Sequence, residues 1–393
     1  MSLDLHALRA DTPGTAHRIH LNNAGAALMP TPVLDAVRQH LELEARIGGY
    51  EAAAERADAI AEAYASVSAL LNAPAGTVAF MDSATTAFNT ALSAIPFREG
   101  DVLLTTRNDY ASNQIAFLSL QRRMGIRVVR APDAEEGGVD VAALAELVHR
   151  LRPRLVSVTH VPTNSGLVQP VEEVCRVCRE RDVTVLVDAC QSVGQMSIDV
   201  QALGCDFLSA TARKFLRGPR GIGFLYVSER ALGQGLEPLL PDMRGADWIE
   251  ADLYQPAPDA RRFENWEFAW ALVLGMGAAA RYALDLGLDA IERRVRALAA
   301  LTRERLSSVP GIRVLDQGPE LAGLVTAEIG SLDPADVMQR LRQLGINTSA
   351  SPREVGVLDF DQKEVSGALR ASPHYYNTAE EIDRFVEAVA AMV

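Results

Sequence analysis

The chain has 393 residues, 48% hydrophobic and 23% charged, a folded globular profile that excludes a disordered chain. That length exceeds one ordinary core, so one large and one smaller domain are expected. The net charge of −13 speaks against a nucleic-acid groove, which needs a basic surface.

Met1 to Gly14 has no long apolar run, so no secretory signal is expected. The apolar run Phe268–Ala280 is broken by glycines and too short for a bilayer. The expectation is a cytoplasmic protein with no membrane and no nucleic-acid partner. From Thr77 onward, short β-rich runs alternate with helical patterns. Strands are expected at Val78–Met81, Asp101–Thr105, Ile126–Arg130, Leu155–His160, Val183–Asp188, Asp206–Ser209 and Gly223–Val227. Helices are expected between them at Ala84–Ala94, Asn113–Met124, Val139–Arg150 and Val171–Arg181. This alternation predicts a mostly parallel sheet covered on both faces. Ligands of such sheets sit beyond the carboxyl ends of the strands, which is where Asp188 ends its run.

After Leu284 the pattern changes. It predicts a long helix (Asp289–Leu306), strands Gly311–Leu315 and Gly323–Ile329, and a helix Pro334–Leu344. Further strands follow at Ile346–Ser349 and Ala368–Ser372, then a last helix from Thr378. The division expected is a large domain over 19–284, a smaller α+β domain over 285–393, and an arm, 1–18, packing on the latter. Four cysteines (Cys175, Cys178, Cys190, Cys205) are too few for a disulfide framework. The single Cys175–Cys178 pair, inside a helical pattern, reads as packing rather than as a metal or redox site.

Of 38 Lys and Arg residues only Lys214 and Lys363 are lysine, the one common side chain that forms a Schiff base with an aldehyde. Lys363 stands among charges, whereas Lys214 follows a strand and precedes the rigid turn Gly218-Pro219-Arg220-Gly221. A lysine and an aspartate at neighbouring strand ends suit pyridoxal phosphate. The acid would keep the ring nitrogen protonated, and the lysine would carry the aldehyde and move the substrate's α-proton. Ser83-Ala84-Thr85-Thr86 opens a helix and offers free N–H groups to a phosphate, although a plain cap would look the same. Thr211 and Arg213 are within reach of that phosphate.

Three segments together resemble the class V aminotransferase superfamily of fold-type I pyridoxal phosphate enzymes. They are Val187-Asp-Ala-Cys-Gln-Ser-Val-Gly194, Lys214 with Gly218-Pro-Arg-Gly-Ile-Gly-Phe-Leu-Tyr226, and Arg370-Ala-Ser-Pro-His-Tyr-Tyr-Asn-Thr378. The resemblance implies an α/β fold with a seven-stranded, mostly parallel sheet, and a homodimer acting on a small amino acid. It implies Lys214 as the Schiff-base lysine, Asp188 on the ring nitrogen, and Gln191 with Asn164 on the phenolic oxygen. Thr85, Thr86, Thr211 and Arg213 would hold the phosphate. Arg370 would bind the substrate carboxylate, with Asn22 and Asn23 lining the substrate side. Arg353 reads equally as a second substrate arginine or as a solvated loop charge.

Several positions depart from the family pattern. Tyr110 stands where desulfurases stack a histidine on the ring, and Arg213 replaces a common histidine. Arg262-Phe-Glu-Asn-Trp-Glu267 replaces a Gly-Thr that reaches the partner's phosphate. The stretch Asn347–Asp359, where desulfurases carry their persulfide cysteine, has none. A C–S β-lyase reaction on a cysteine derivative, without persulfide transfer, is therefore expected. Amino-group transfer is the nearest rival, then epimerisation; an inactive binding protein of the same fold is the non-enzymatic alternative. His160, Trp248, Tyr254 and Trp266 read as core or packing residues, and Tyr375 and Tyr376 as braces for the Arg370 segment.

Overall fold

The computed structural model describes residues 3–393. Its central sheet is built from β2 (Val78–Met81), β3 (Val102–Thr105), β4 (Arg127–Arg130), β5 (Leu155–Thr159), β6 (Thr184–Asp188), β7 (Phe207–Thr211) and β8 (Gly223–Val227), with β1 (Ile19–His20) lying elsewhere. The seven strands lie in the order β2-β8-β7-β6-β5-β3-β4. Only β8 runs against its neighbours. The central strands are apolar runs because both faces are covered. In β6, Val185 and Val187 enter one core layer and Leu186 the other. The expected strands all form, within one or two residues of their predicted ends.

The helices between them start at legible signals. Ser83 caps Ala84–Ser93 by accepting the Thr86 N–H, and Asp140 caps Val141–Leu151. Three further helices, Thr31–Ile47, Gly49–Glu55 and Ala57–Leu70, precede the sheet. The first and third pack on the helix Trp270–Leu286. That helix contains most of the apolar run of the sequence, and its glycines let neighbours approach: a Cβ at Gly277 would meet that of Ala63 at 2.5 Å. No single helix among the described residues is long and apolar enough to cross a membrane.

An exposed hairpin, β9 (Ala246–Glu250) with β10 (Leu253–Pro256), projects from the large domain. The C-terminal part is a sheet of β11 (Ile312–Val314), β12 (Val325–Ile329), β14 (Ser349–Pro352) and β15 (Gly367–Ala371), covered by Leu288–Ser307, Pro334–Gln343 and Ala379–Ala390. The single strand expected at Ile346–Ser349 divides. Its first half, β13 (Ile346–Asn347), leaves this sheet to pair in parallel with β1. Residues 19–20 thus pair with the C-terminal part of the chain. The arm before them reaches the C-terminal helix through Arg9, which pairs with Glu381 at 2.9 Å.

Candidate active site

Asp188 ends β6, Thr159 ends β5 and Thr211 ends β7, so the register that aligns these strands gathers their last residues at one edge. Lys214 follows β7 by three residues. The turn after it is held open by close packing, since a Cβ at Gly218 would reach that of Ala212 at 2.7 Å. Together with the start of the helix Ala84–Ser93, these segments enclose a cleft of about 240 Å³. Lys214, Asp188, Tyr110, Thr85, Gln191, Thr211 and Arg213 all line it.

Lys214 is buried, and its Nζ has no hydrogen-bond partner among the described residues. Burial lowers its pKa and so favours the neutral amine; Asp188 and Cys190 oppose that shift. The Tyr110 ring faces it, 5.9 Å from Nζ to the centroid. The Asp188 carboxylate accepts from Asn113 Nδ2 at 3.0 Å and from the Cys190 N–H at 2.9 Å. At the other end, Ser83, Ala84 and Thr85 line the cleft where their helix begins. Strand β8 lies tight against this turn, and a Cβ at Gly223 would come within 2.9 Å of the Ala84 nitrogen. Arg213 and Arg220 bring two positive charges to the same cleft. Arg213 is held there by donating to the Gly25 carbonyl.

Arg370 is buried, and its charge costs enough to lower its pKa to about 10. Its Nη1 donates to Thr163 Oγ1 at 2.8 Å and to the Thr163 carbonyl at 3.0 Å, and Nη2 reaches Asn22 Oδ1 at 3.4 Å. Nε is buried without a partner. One donor of the fork is thus left unsatisfied beside Thr163, which lines the cleft, although Arg370 and Asn22 themselves do not.

Four other expected site residues also lie outside the cleft lining, held by other contacts. Asn164 does not line the cleft; its Nδ2 donates to Asp359 Oδ2 at 2.8 Å. The preceding residue, Thr163, takes its place, accepting from Gln191 Nε2 at 3.2 Å as well as from Arg370. Arg353 lies outside, in an exposed pair with Asp361 at 2.5 Å. Asn23 is fully buried and structural, donating to the Ser372 carbonyl at 2.7 Å and accepting from Tyr376. Thr86 contributes its N–H and hydroxyl to the Ser83 cap rather than to the cleft.

Sequence reasoning missed Asn113, Thr159, Thr163 and Arg220, all of which line the cleft. Arg220 carried a signal in the Gly-Pro-Arg-Gly turn; the others are short polar residues with no spacing to mark them. The group implied by the sequence fits these residues. An unpartnered amine, a buried carboxylate, a helix start flanked by arginines, and two orphaned polar atoms (Gln191 Oε1 and Arg370 Nε) await a polar ligand of several functional groups.

Comparison with known proteins agrees. The profile of the family Aminotransferase class-V matches residues 19–385. A probable cysteine desulfurase of Methanothermobacter thermautotrophicus is 30% identical over 95% of this chain and 94% of its own. A probable hercynylcysteine sulfoxide lyase of Mycobacterium tuberculosis is 31% identical over 98% and 92%. The apo cysteine desulfurase of Thermococcus onnurineus superposes with a TM-score of 0.91 at 26% identity, covering 100% of this chain and 98% of that one.

Proposed function

The chain belongs to the class-V aminotransferase family, and on that premise we propose that it cleaves the C–S bond of a cysteine derivative by β-elimination, without passing sulfur to a protein cysteine. It is a pyridoxal-phosphate-dependent enzyme of C–S lyase or desulfurase chemistry on an amino acid. When bound, pyridoxal phosphate supplies an aldehyde for amine condensation and a ring that accepts the electron pair of the Cα–H bond.

The chain's own residues supply the rest. Arg370, whose Nε is unpaired, would bind the α-carboxylate, with Thr163 holding its Nη1. Lys214 Nζ, held toward its neutral form by burial, takes the α-proton. Asp188 would hold a ring nitrogen protonated, and Tyr110, whose ring faces Lys214, would line the ring. The helix start at Ala84 and Thr85, with Thr211, Arg213 and Arg220, supports the phosphate. As the Cβ–S bond breaks, its electron pair leaves with the sulfur, and the proton taken by Lys214 passes to it, so that it departs as a thiol. The remaining unsaturated amine hydrolyses to pyruvate and ammonia when the substrate is a simple cysteine conjugate.

One observation carries the lyase reading over persulfide transfer. Cys190 is the one cysteine lining the cleft among the described residues, and burial pushes its thiol well up, away from the reactive thiolate. No cysteine follows Cys205 in the sequence.

We assign the molecule as a homodimer on the apolar side chains that the hairpin segment exposes: Leu239, Leu240, Met243, Trp248, Ile249 and Leu253. The test of the reaction is product analysis on cofactor-loaded enzyme given L-cysteine, a cysteine S-conjugate and L-alanine without keto acid. Catalytic pyruvate and ammonia from the sulfur substrates alone are expected. One turnover that stalls and restarts on adding a keto acid would make amino-group transfer the reaction instead.

A further inference from the structure

Beneath the cleft, and not lining it, lies a second buried carboxylate, Asp109, at the end of the turn after β3. Its Oδ1 accepts from the Tyr110 N–H at 2.7 Å, Thr159 Oγ1 at 2.5 Å and Asn113 Nδ2 at 3.1 Å. Its Oδ2 accepts from Gln114 Nε2 at 2.9 Å and Thr105 Oγ1 at 3.3 Å. Arg130 donates twice to Gln114 Oε1, at 2.8 and 3.1 Å, which fixes the Gln114 amide with its NH₂ toward Asp109. Each carboxylate oxygen thus faces at least one N–H that can only donate, the pattern of an ionised acid. Burial, and after it the neighbouring Asp188, raises its pKa on balance, and the hydrogen bonds from Thr159, Gln114 and Asn113 offset only part of that.

The same Asn113 Nδ2 that bonds Asp109 at 3.1 Å bonds Asp188 Oδ2 at 3.0 Å. One NH₂ group bridges two buried carboxylates, and a chain of contacts runs Arg130–Gln114–Asp109–Asn113–Asp188. Bonded to the Tyr110 N–H, Asp109 also fixes the start of the residue that faces Lys214.

We propose that Asp109 is a positioning residue for the cofactor ring: through Asn113 it sets the orientation of Asp188, and through the Tyr110 backbone it sets the wall that faces Lys214. The inference rests on the pyridoxal phosphate reading of the cleft. Asp109 touches neither cofactor nor substrate. Its charge adds to the field that keeps a proton on the ring nitrogen above Asp188, and its geometry keeps the Asn113 bridge in place. The general logic is that of groups that orient ligands from behind.

The test uses holoenzyme reconstituted with pyridoxal phosphate labelled with ¹⁵N in the ring, comparing wild type, Asp109→Asn and Asp109→Glu at one pH. In Asp109→Asn the ring ¹⁵N resonance should move toward the unprotonated pyridine position, and the cofactor Kd should rise about tenfold. Asp109→Glu should recover part of both. If Asp109→Asn does not fold, Asn113→Ser breaks the bridge while leaving four of the five Asp109 contacts, and the same movement is expected there. An unchanged ¹⁵N shift and Kd in whichever variant folds overturns the inference and leaves the cofactor reading standing. A wild-type protein that takes up no pyridoxal phosphate overturns both.

Discussion

A buried lysine without a partner is a liability unless its charge is used, and Lys214 shows the cost and the use together. Its pKa lies below the ordinary value because burial disfavours the ammonium. At low pH the cofactor-free protein must bury that charge, so the penalty is full below the folded pKa. Between the folded pKa and the unfolded value of about 10.4 the native state has lost the proton while the unfolded state keeps it, so stability rises with pH. Lys214→Met should therefore stabilise the cofactor-free protein at pH below that window by about 1–2 kcal/mol. The gain should shrink as pH approaches the upper end. Urea unfolding of both proteins at several pH values measures it, and a gain independent of pH would mean that packing rather than charge is responsible. Lys214 and Asp188, which line the cleft, were legible in the sequence as candidates because few other side chains can do the chemistry expected of them. Asn164 was misread in place of Thr163 because two adjacent loop residues point opposite ways, and no periodicity tells which faces inward. Asp109 carried no signal, since its importance lies in partners at Asn113, Thr159 and Gln114 that only the fold assembles.

Among the elements, the buried parallel strands were the most legible, since runs such as Thr184–Asp188 have few other uses in a folded chain. The helices between 31 and 70 went unread although Pro30 and Gly48 mark the ends of one of them. Alanine-rich stretches with scattered charges give a weak stripe. The hairpin of β9 and β10 also went unread, because its strands expose both faces and so lack alternation. The segment after β14 is the most telling element. Where the family resemblance would place a persulfide-bearing loop, this chain folds the short helix Val357–Gln362. Asp359 on that helix accepts from Asn108 Nδ2 at 3.2 Å, Asn164 Nδ2 at 2.8 Å and Lys363 Nζ at 2.8 Å. Both asparagines belong to the large domain, so one carboxylate clamps the small-domain segment onto it. Asp359→Ala leaves two amides and a half-buried ammonium without their acceptor, and should cost about 2–3 kcal/mol. Hydrogen exchange should quicken over 353–366 and stay slow in β12 and β15. Unchanged exchange in that segment would show that packing by Phe360, not the clamp, holds it.

At the scale of the whole molecule, the chain ends are tied to the middle by another buried cation. Arg217 is 1% exposed and has no carboxylate partner among the described residues. Its guanidinium donates to the Leu28 carbonyl, Tyr375 Oη and Thr12 Oγ1, and lies 4.6–5.8 Å from the ring centres of Tyr376, Tyr375 and Tyr282. The arm, the lysine loop and the segment after Arg370 thus meet at one side chain, which makes the single chain self-consistent around its cleft. The opposite situation holds at the hairpin. Trp248 is 80% exposed and Leu240 84%, in a chain whose other large side chains are mostly covered. Apolar groups clustered on one projecting element, with polar residues around them, need a cover of matching chemistry. In the proposed homodimer a second copy of the same face would supply it through two-fold symmetry. Trp248→Glu places a charge at the centre of that contact, while the residue makes only one exposed bond in the monomer, to the Ala251 carbonyl at 3.3 Å. Sedimentation should show a dimer for the wild-type chain and a shift toward monomer for the variant, with little change in the fold of each chain. A wild-type monomer would leave the hairpin needing another partner. An unshifted dimer in Trp248→Glu would put the two-fold contact on a different face.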